Sequence, residues 1–269
     1  MTGTSRLAGG CVGDVRLCEL DDGSCVVVKV ADGSSATLDV EGFMLRELRR
    51  LSELPVPEVF HAEPTLLVME YVENDGRKSE AGERELADLL ADLHGVTSEQ
   101  FGFEEDTLIG PLRQPNAWSD SWRDFFAEQR LLAMGREALA HGRISRTLMT
   151  RLETLAGRLD RWIEEPGYAS LIHGDCWAGN VLWKDGRVVA VIDPAISYAD
   201  PEIELAFIDL MGGVGRAFWA RYNERRPIRD GFWEARRDLY NLYPLLVHAR
   251  LFGGGYAGQV ERIVGRLGA

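Results

Sequence analysis

The stretch from Leu171 to Ala195 constrains this chain more than any other. It opens with Leu171-Ile172-His173-Gly174-Asp175-Cys176-Trp177-Ala178-Gly179-Asn180 and closes with Val191-Ile192-Asp193-Pro194-Ala195. Between them, two short apolar runs, Val181-Leu182-Trp183 and Val188-Val189-Ala190-Val191, flank Asp185-Gly186. Asp-Gly accepts the positive φ angles of a two-residue turn, so the pattern predicts a β-hairpin. A loop carrying Asp175 and Asn180 thus feeds a hairpin whose second strand delivers Asp193.

The rest of the chain divides into unequal parts. From Val12 to Val30, short extended runs surround the turn signal Asp21-Asp22-Gly23, and the β-branched run Cys25–Val30 suits a strand. Met44, Leu48 and Leu51 fall at i, i+4 and i+7 and predict a helix between Glu41 and Glu53, stopped by Pro55 and Pro57. Leu66 to Val72 reads as another strand, and Asn74-Asp75-Gly76 breaks the pattern. Beyond it helical spacing dominates, in Leu86, Leu89, Leu90 and Leu93 and again from Leu148 to Trp162. Trp118, Trp122, Phe125 and Phe126 are spaced for one helix face and read mostly as core, while Pro244 is expected to kink the pattern from Leu239 to Leu251. The expected architecture is α+β and bilobal: a small β-rich lobe over residues 1–73 and a larger, mainly helical lobe over 74–269.

Composition excludes several function classes. The 269 residues are 45% hydrophobic and 27% charged, ordinary for a globular protein. Asp and Glu outnumber Lys and Arg by 43 to 30, a net charge of -13, which disfavours a nucleic-acid partner. No apolar run reaches the ~20 residues of a membrane-spanning helix, and the opening residues lack the apolar core of a secretory signal. Cys11, Cys18, Cys25 and Cys176 form no Cys-x-x-Cys pair, so a cytoplasmic, reducing setting is expected. His61, His94 and His141 are scattered without metal-ligand spacing.

The chemistry lies in oxygen ligands. Asp175 and Asn180 have the Asp-x-x-x-x-Asn spacing of a kinase catalytic loop, and Asp193 stands where a metal-binding aspartate is expected. Phosphoryl transfer asks little covalent chemistry of the protein: Asp175 as catalytic carboxylate would take the proton of an acceptor hydroxyl, while Asn180 and Asp193 supply hard ligands for Mg²⁺ bridging nucleotide phosphates. Each residue alone could merely shape a turn or cap a helix; the ordered set after a β-lobe favours catalysis. Lys29 ends an apolar strand, as a phosphate-pairing lysine would, and Glu41 could hold it as an ion pair; a surface pair is the plainer alternative. Gly9, Gly10 and Gly13 around Cys11-Val12 make a glycine-rich stretch whose backbone could approach phosphates, or an ordinary turn. Backbone groups from Glu70 to Val72 would bond adenine. Trp177 could wall the acceptor or pack beneath the loop. His173 is expected to support the loop through hydrogen bonds. Cys11, where backbone amides can stabilise a thiolate, is either the cysteine most open to oxidation or a small loop residue with no regulatory part, so a monomer or a redox-dependent homodimer is expected.

The chain resembles the fructosamine (ketosamine) kinase family, within the aminoglycoside phosphotransferase-like group of the protein-kinase fold, over nearly its whole length. The matching strings are Phe101-Gly102-Phe103-Glu104-Glu105-Asp106-Thr107-Leu108-Ile109-Gly110, Gln114-Pro115-Asn116, Trp118-Ser119-Asp120-Ser121-Trp122, His173 to Asn180, Asp193-Pro194-Ala195, Arg237 to Tyr243 and Leu251 to Tyr256. The resemblance implies an ATP- and Mg²⁺-dependent kinase that phosphorylates a sugar hydroxyl of ketosamines, the 3-hydroxyl of fructosamine- or ribulosamine-like adducts, in deglycation. Trp177 and His248 are then expected to contact the acceptor. Departures occur at Cys176, where the family usually has Leu, at Ala199-Asp200-Pro201-Glu202 with Glu204-Leu205-Ala206, and at Val247-His248-Ala249-Arg250. They lead to the expectation that Glu202 lies near the acceptor pocket, and that Arg250, if it points inward, pairs with the carboxylate of an amino-acid-derived ketosamine. An aminoglycoside- or choline-type kinase and a nucleotide-binding pseudokinase are the alternatives.

Overall fold

The structure is a computed structural model of the 269-residue chain and describes residues 3–7, 14–33 and 36–268. The glycine-rich stretch with Gly10, Cys11 and Gly13 lies outside the described residues. The N-terminal part is one antiparallel sheet built from β1 (Gly3–Arg6), β2 (Asp14–Glu19), β3 (Cys25–Val30), β4 (Val59–Glu63) and β5 (Leu66–Glu70). Their order is β1-β2-β3-β5-β4. In this register Lys29 on β3 stands between Val15 and Leu67, which anchors its backbone at the sheet's centre.

Helix α1 (Leu38–Leu51) crosses one face of the sheet. It buries Leu38, Met44, Leu45 and Leu48, the apolar side of the periodicity seen in the sequence. Gly42 makes the close approach possible, since a Cβ there would stand 2.5 Å from the Ala62 methyl on β4. Glu41 precedes that contact point and is carried toward Lys29.

The remainder is helical with three small β elements. Helix α2 (Glu80–Leu93) is capped by the Ser79 hydroxyl, which accepts from the Gly82 amide at 3.0 Å. β6 (Thr97–Ser98), β9 (Ala169–Ile172) and β12 (Ser197–Ala199) form a three-stranded sheet with β9 central, and β7 (Thr107–Ile109) pairs with β8 (Leu112–Gln114). The hairpin expected after Asn180 is present as β10 (Val181–Lys184) and β11 (Arg187–Val191), with Asp185 and Gly186 at φ 51° and 79° in its turn. Helix α3 (Trp122–Phe125) widens into a π-helical segment, Phe126–Leu132, and continues as α4 (Ala133–Ala140). The remaining α-helices among the described residues are α5 (Arg146–Ala156), α6 (Glu202–Met211), α7 (Arg216–Arg225), α8 (Arg237–Phe252) and α9 (Tyr256–Arg266).

Trp122, Phe125 and Phe126 form the expected aromatic core, with the Trp122 Nε1–H donating to the Tyr240 hydroxyl at 2.9 Å. Trp118 departs from that expectation: it precedes the helix, is 42% exposed and lies over Tyr198 with ring centroids 6.2 Å apart. Pro244 sits inside α8, which continues past it to Phe252. No helix among the described residues is long and apolar enough to cross a membrane.

Candidate active site

The cleft between the N-terminal sheet and the helical part brings together Lys29, Glu41, Asp175, Trp177, Asn180 and Asp193, with Leu108 and Gly110 of the β7–β8 hairpin on its wall. The Lys29 ammonium donates to Glu41 Oε1 and to Asp193 Oδ1, each at 2.6 Å. Lys29 is 5% exposed. Burial alone would lower its pKa, but the two carboxylates outweigh that and push it upward, so the group stays an ammonium. One lysine on β3 thus joins α1 to the segment leaving β11 across 164 residues of chain.

Two left-handed residues shape the loop around Asp175. Gly174 has φ 83°, and Asp193 adopts φ 54°, a conformation uncommon outside glycine. The Ala195 amide donates to the His173 carbonyl at 2.7 Å, and the Ile192 amide to the Asn180 carbonyl at 2.9 Å, which bracket Asp193 against the loop. A Cβ on Gly174 would lie 2.0 Å from the Ala195 carbonyl oxygen, so the close approach of these two segments requires glycine.

Asp175 emerges from that bend. Its pKa is pushed up to about 8, first by burial and then by the Asp193 charge, while a hydrogen bond from Asn180 opposes the rise. Asn180 Nδ2 donates to the Asp175 carbonyl at 2.9 Å and to its Oδ2 at 3.1 Å. With its nitrogen so fixed, Asn180 would offer its amide oxygen to a cation, beside an Asp193 carboxylate that Lys29 engages at one oxygen. An amide oxygen and a carboxylate are donors of the kind Mg²⁺ takes alongside phosphate oxygens and water, so the residues fit that ion. Among the described residues no group of three or more His, Cys, Asp or Glu is placed to hold a metal by itself.

His173 supports the loop as expected, its Nδ1 accepting from the Asp175 amide at 3.3 Å. The stronger support went unnoticed in the sequence. Glu204 on α6, 2% exposed, accepts from the Gly174 amide at 2.6 Å through Oε1 and from the His173 amide at 3.2 Å through Oε2. His94, without assigned role in the sequence, contacts Glu204 Oε2 at 2.8 Å through Nε2 and the Tyr222 hydroxyl at 2.7 Å through Nδ1. The Glu204-Leu205-Ala206 string was visible, but the fold alone brings it under the loop, 30 residues upstream.

The remaining sequence candidates divide. Trp177 is half-buried and lines the cleft. Glu70 ends β5, its amide donating to the Glu58 carbonyl at 2.8 Å, and the Val72 carbonyl accepts from Asn74 Nδ2 at 3.1 Å. These two mark the chain's exit from the sheet rather than the cleft floor. His248 lies on α8, with Nδ1 donating to the Pro244 carbonyl at 2.7 Å and its ring between Phe252 and Tyr256. Two expectations fail. Glu202 is buried away from the cleft in ion pairs with Arg236 at 2.6 Å and Arg229 at 3.0 Å. Arg250 turns toward α4, Nη2 lying 2.9 Å from His141 Nε2 and Nε 3.5 Å from Glu137, so it does not reach into the cleft.

Known proteins resemble this chain in sequence and in fold. A family model described as fructosamine kinase matches residues 1–269. A relative described as "Probable ketoamine kinase" from Synechocystis sp. is 35% identical over 268 residues, covering 96% of this chain and 88% of that protein. The chloroplastic "Protein-ribulosamine 3-kinase" of Arabidopsis thaliana is 31% identical, with 98% of this chain and 82% of that protein covered. Among solved structures, a "putative fructosamine-3-kinase" from Thermobifida fusca superposes with a TM-score of 0.86 at 32% identity, covering 98% of this chain and 94% of that one. The aminoglycoside phosphotransferase APH(4)-Ia superposes with a TM-score of 0.70 at 20% identity and shares the fold. The protein-kinase-like architecture and the cleft therefore go with a sequence match that runs from end to end, and this chain belongs to the fructosamine kinase family.

Proposed function

We propose that this kinase transfers the γ-phosphoryl group of ATP to a sugar hydroxyl of a ketosamine, the 3-hydroxyl of a fructosamine- or ribulosamine-like adduct. The observation that carries the reading is Lys29 bound at 2.6 Å to both Glu41 and Asp193, opposite Asp175 and Asn180. Lys29 offers a positive charge to nucleotide phosphates, and Glu41 holds it in place. Asn180 and Asp193 would hold Mg²⁺, whose contribution is to neutralise phosphate charge. Asp175 accepts the acceptor hydroxyl's proton as that oxygen bonds to phosphorus, and ADP leaves with the bond that breaks. With the Glu70 amide and the Val72 carbonyl engaged by Glu58 and Asn74, adenine contacts in this reading would come from the other backbone groups of Glu70–Val72.

The acceptor side follows from helix spacing. Pro244, His248 and Leu251 fall at i, i+4 and i+7 on one face of α8. Pro244 borders the small cavity that also contains Gly174, and Leu251 Cδ1 lies 3.8 Å from where a Gly110 Cβ would stand. In this reading His248, between them on the same helix face, meets the acceptor. Because its Nδ1–H is given to Pro244, Nε2 is left to accept a hydrogen bond from the acceptor, while Trp177 supplies an apolar wall. Arg250 takes no part in this site, so no preference for a carboxylate-bearing ketosamine is expected from it.

The test is kcat/KM across an amino-acid ketosamine, the matching free sugar, choline and an aminoglycoside. The ketosamine is expected to exceed the others at least tenfold. Turnover of the aminoglycoside with none of any ketosamine would contradict the assignment. Lys29→Met is expected to lower kcat/KM for ATP about 10²-fold, the scale for losing one preorganised charge contact. It should also lower Tm, since it leaves two partly buried carboxylates without their cation. Wild-type kcat/KM in this variant would remove Lys29 from the nucleotide site.

A further inference from the structure

Arg130 sits in the π-helical segment Phe126–Leu132, 2% exposed, and forms no ion pair among the described residues. Its four Nη hydrogens go to neutral oxygens: Nη1 donates to the Pro115 carbonyl at 2.6 Å and the Gln129 carbonyl at 3.1 Å, and Nη2 to Asn116 Oδ1 at 2.8 Å and Ser197 Oγ at 3.1 Å. The guanidinium also lies 4.6 Å from the centre of the Phe125 ring and 5.6 Å from that of Tyr243. Burial pushes its pKa down to about 10, with the Tyr243 and Asp106 charges offsetting it only in part. A cation kept inside at that cost is weak evidence for a role in stability.

The groups around it close a hydrogen-bond circuit. Asn116 Nδ2 donates to Thr107 Oγ1 at 2.8 Å, and Gln114 Nε2 donates to the same oxygen at 2.9 Å. Gln114 Nε2 also donates to the Ala195 carbonyl at 3.0 Å, Thr107 Oγ1 to the Ile196 carbonyl at 3.1 Å, and the Tyr243 hydroxyl to Gln114 Oε1 at 2.8 Å. Three consecutive residues, Ala195, Ile196 and Ser197, are therefore gripped by Gln114, Thr107 and Arg130. These are the residues that follow Asp193-Pro194.

We infer that Arg130, with Thr107, Gln114 and Asn116, is a positioning clamp that fixes the strained Asp193 segment so that its carboxylate is set for the metal–nucleotide complex. The inference rests on the phosphotransfer reading above. The clamp touches neither nucleotide nor acceptor; it acts through Ala195–Ser197. The Gln114-Pro115-Asn116 string thereby has a physical role: it supplies two amide side chains and a carbonyl to one buried circuit. Lysine cannot replace Arg130, because an ammonium lacks the planar fork that reaches Pro115, Asn116 and Ser197 together.

Calorimetric titration with ADP, in the presence and absence of Mg²⁺, tests the clamp by binding alone. Wild type is expected to bind ADP more tightly with Mg²⁺. In Arg130→Lys, and in the near-isosteric Thr107→Val and Ser197→Ala, that Mg²⁺-dependent gain should shrink at least fivefold while metal-free ADP binding stays within twofold. Thr107→Val and Ser197→Ala decide the matter if Arg130→Lys fails to fold. Folded variants that keep the full wild-type gain, even with a lowered Tm, would overturn the clamp and leave the phosphotransfer reading intact. Absence of any Mg²⁺-dependent gain in wild type would overturn that reading, and the clamp with it.

Discussion

Asp175→Asn is expected to lower kcat about 10²–10⁴-fold, the range for loss of a positioned general base, with ADP binding retained. Asparagine keeps the volume and can still meet Asn180, so the loop should hold its shape. The pH dependence gives the sign. Burial and the Asp193 charge raise the Asp175 pKa from the ordinary 3.8 to about 8, so the folded protein holds this proton to higher pH than the unfolded chain. The stabilising contribution of that proton is complete below pH 3.8 and is lost progressively as pH rises through about 8. Asn carries no such penalty, and the apo Tm of the variant should gain on wild type between pH 5 and pH 9. In wild type, kcat/KM should rise with pH along a limb well above the usual carboxylate range, and that limb should vanish in Asp175→Asn. A variant with near-normal turnover, or a Tm difference independent of pH, would refute the role.

Gly174→Ala is expected to be the other severe substitution, because its methyl would meet backbone rather than a mobile side chain. The new Cβ would lie 2.0 Å from the Ala195 carbonyl oxygen, at a φ of 83° that already costs an L-residue about 1–2 kcal/mol. Relief requires the Asp175 loop to part from the Asp193 segment, breaking the bond from the Ala195 amide to the His173 carbonyl. A fall of more than about 10²-fold in kcat/KM should result, the scale for misplacing reacting groups by about 1 Å. Gly167→Ala is the control: nothing lies within 4 Å of its added methyl, and activity should not change. Equal activity in the two variants would show that the tight approach is not needed for catalysis.

What the sequence made legible was local. Asp185-Gly186 announced its hairpin because two adjacent positive φ angles select such residues, and the α1 periodicity placed Glu41 on the helix that meets Lys29. The cleft residues were readable because phosphotransfer fixes both their chemistry and their order. What stayed hidden depends on distant pairing. β9 forms its sheet with Thr97–Ser98 and Ser197–Ala199, segments too short and polar to read as strands. Glu204 and His94 gain their roles only when α6 and the end of α2 converge beneath the catalytic loop. Glu202 looked available for the acceptor because Arg229 and Arg236, its partners 27 and 34 residues on, gave no sign of facing it. Arg250 points away from the cleft for a related reason: helical position sets the face a side chain leaves from, and Glu137 on α4 determines where it goes.

The most direct test of the central claim is ³¹P NMR of the enzyme with ATP, Mg²⁺ and an amino-acid ketosamine. The account predicts a new phosphomonoester resonance, coupled to the proton on the sugar's third carbon, growing in step with ADP and absent with Asp175→Asn. ATP that remains unchanged, or that yields only inorganic phosphate, would contradict it.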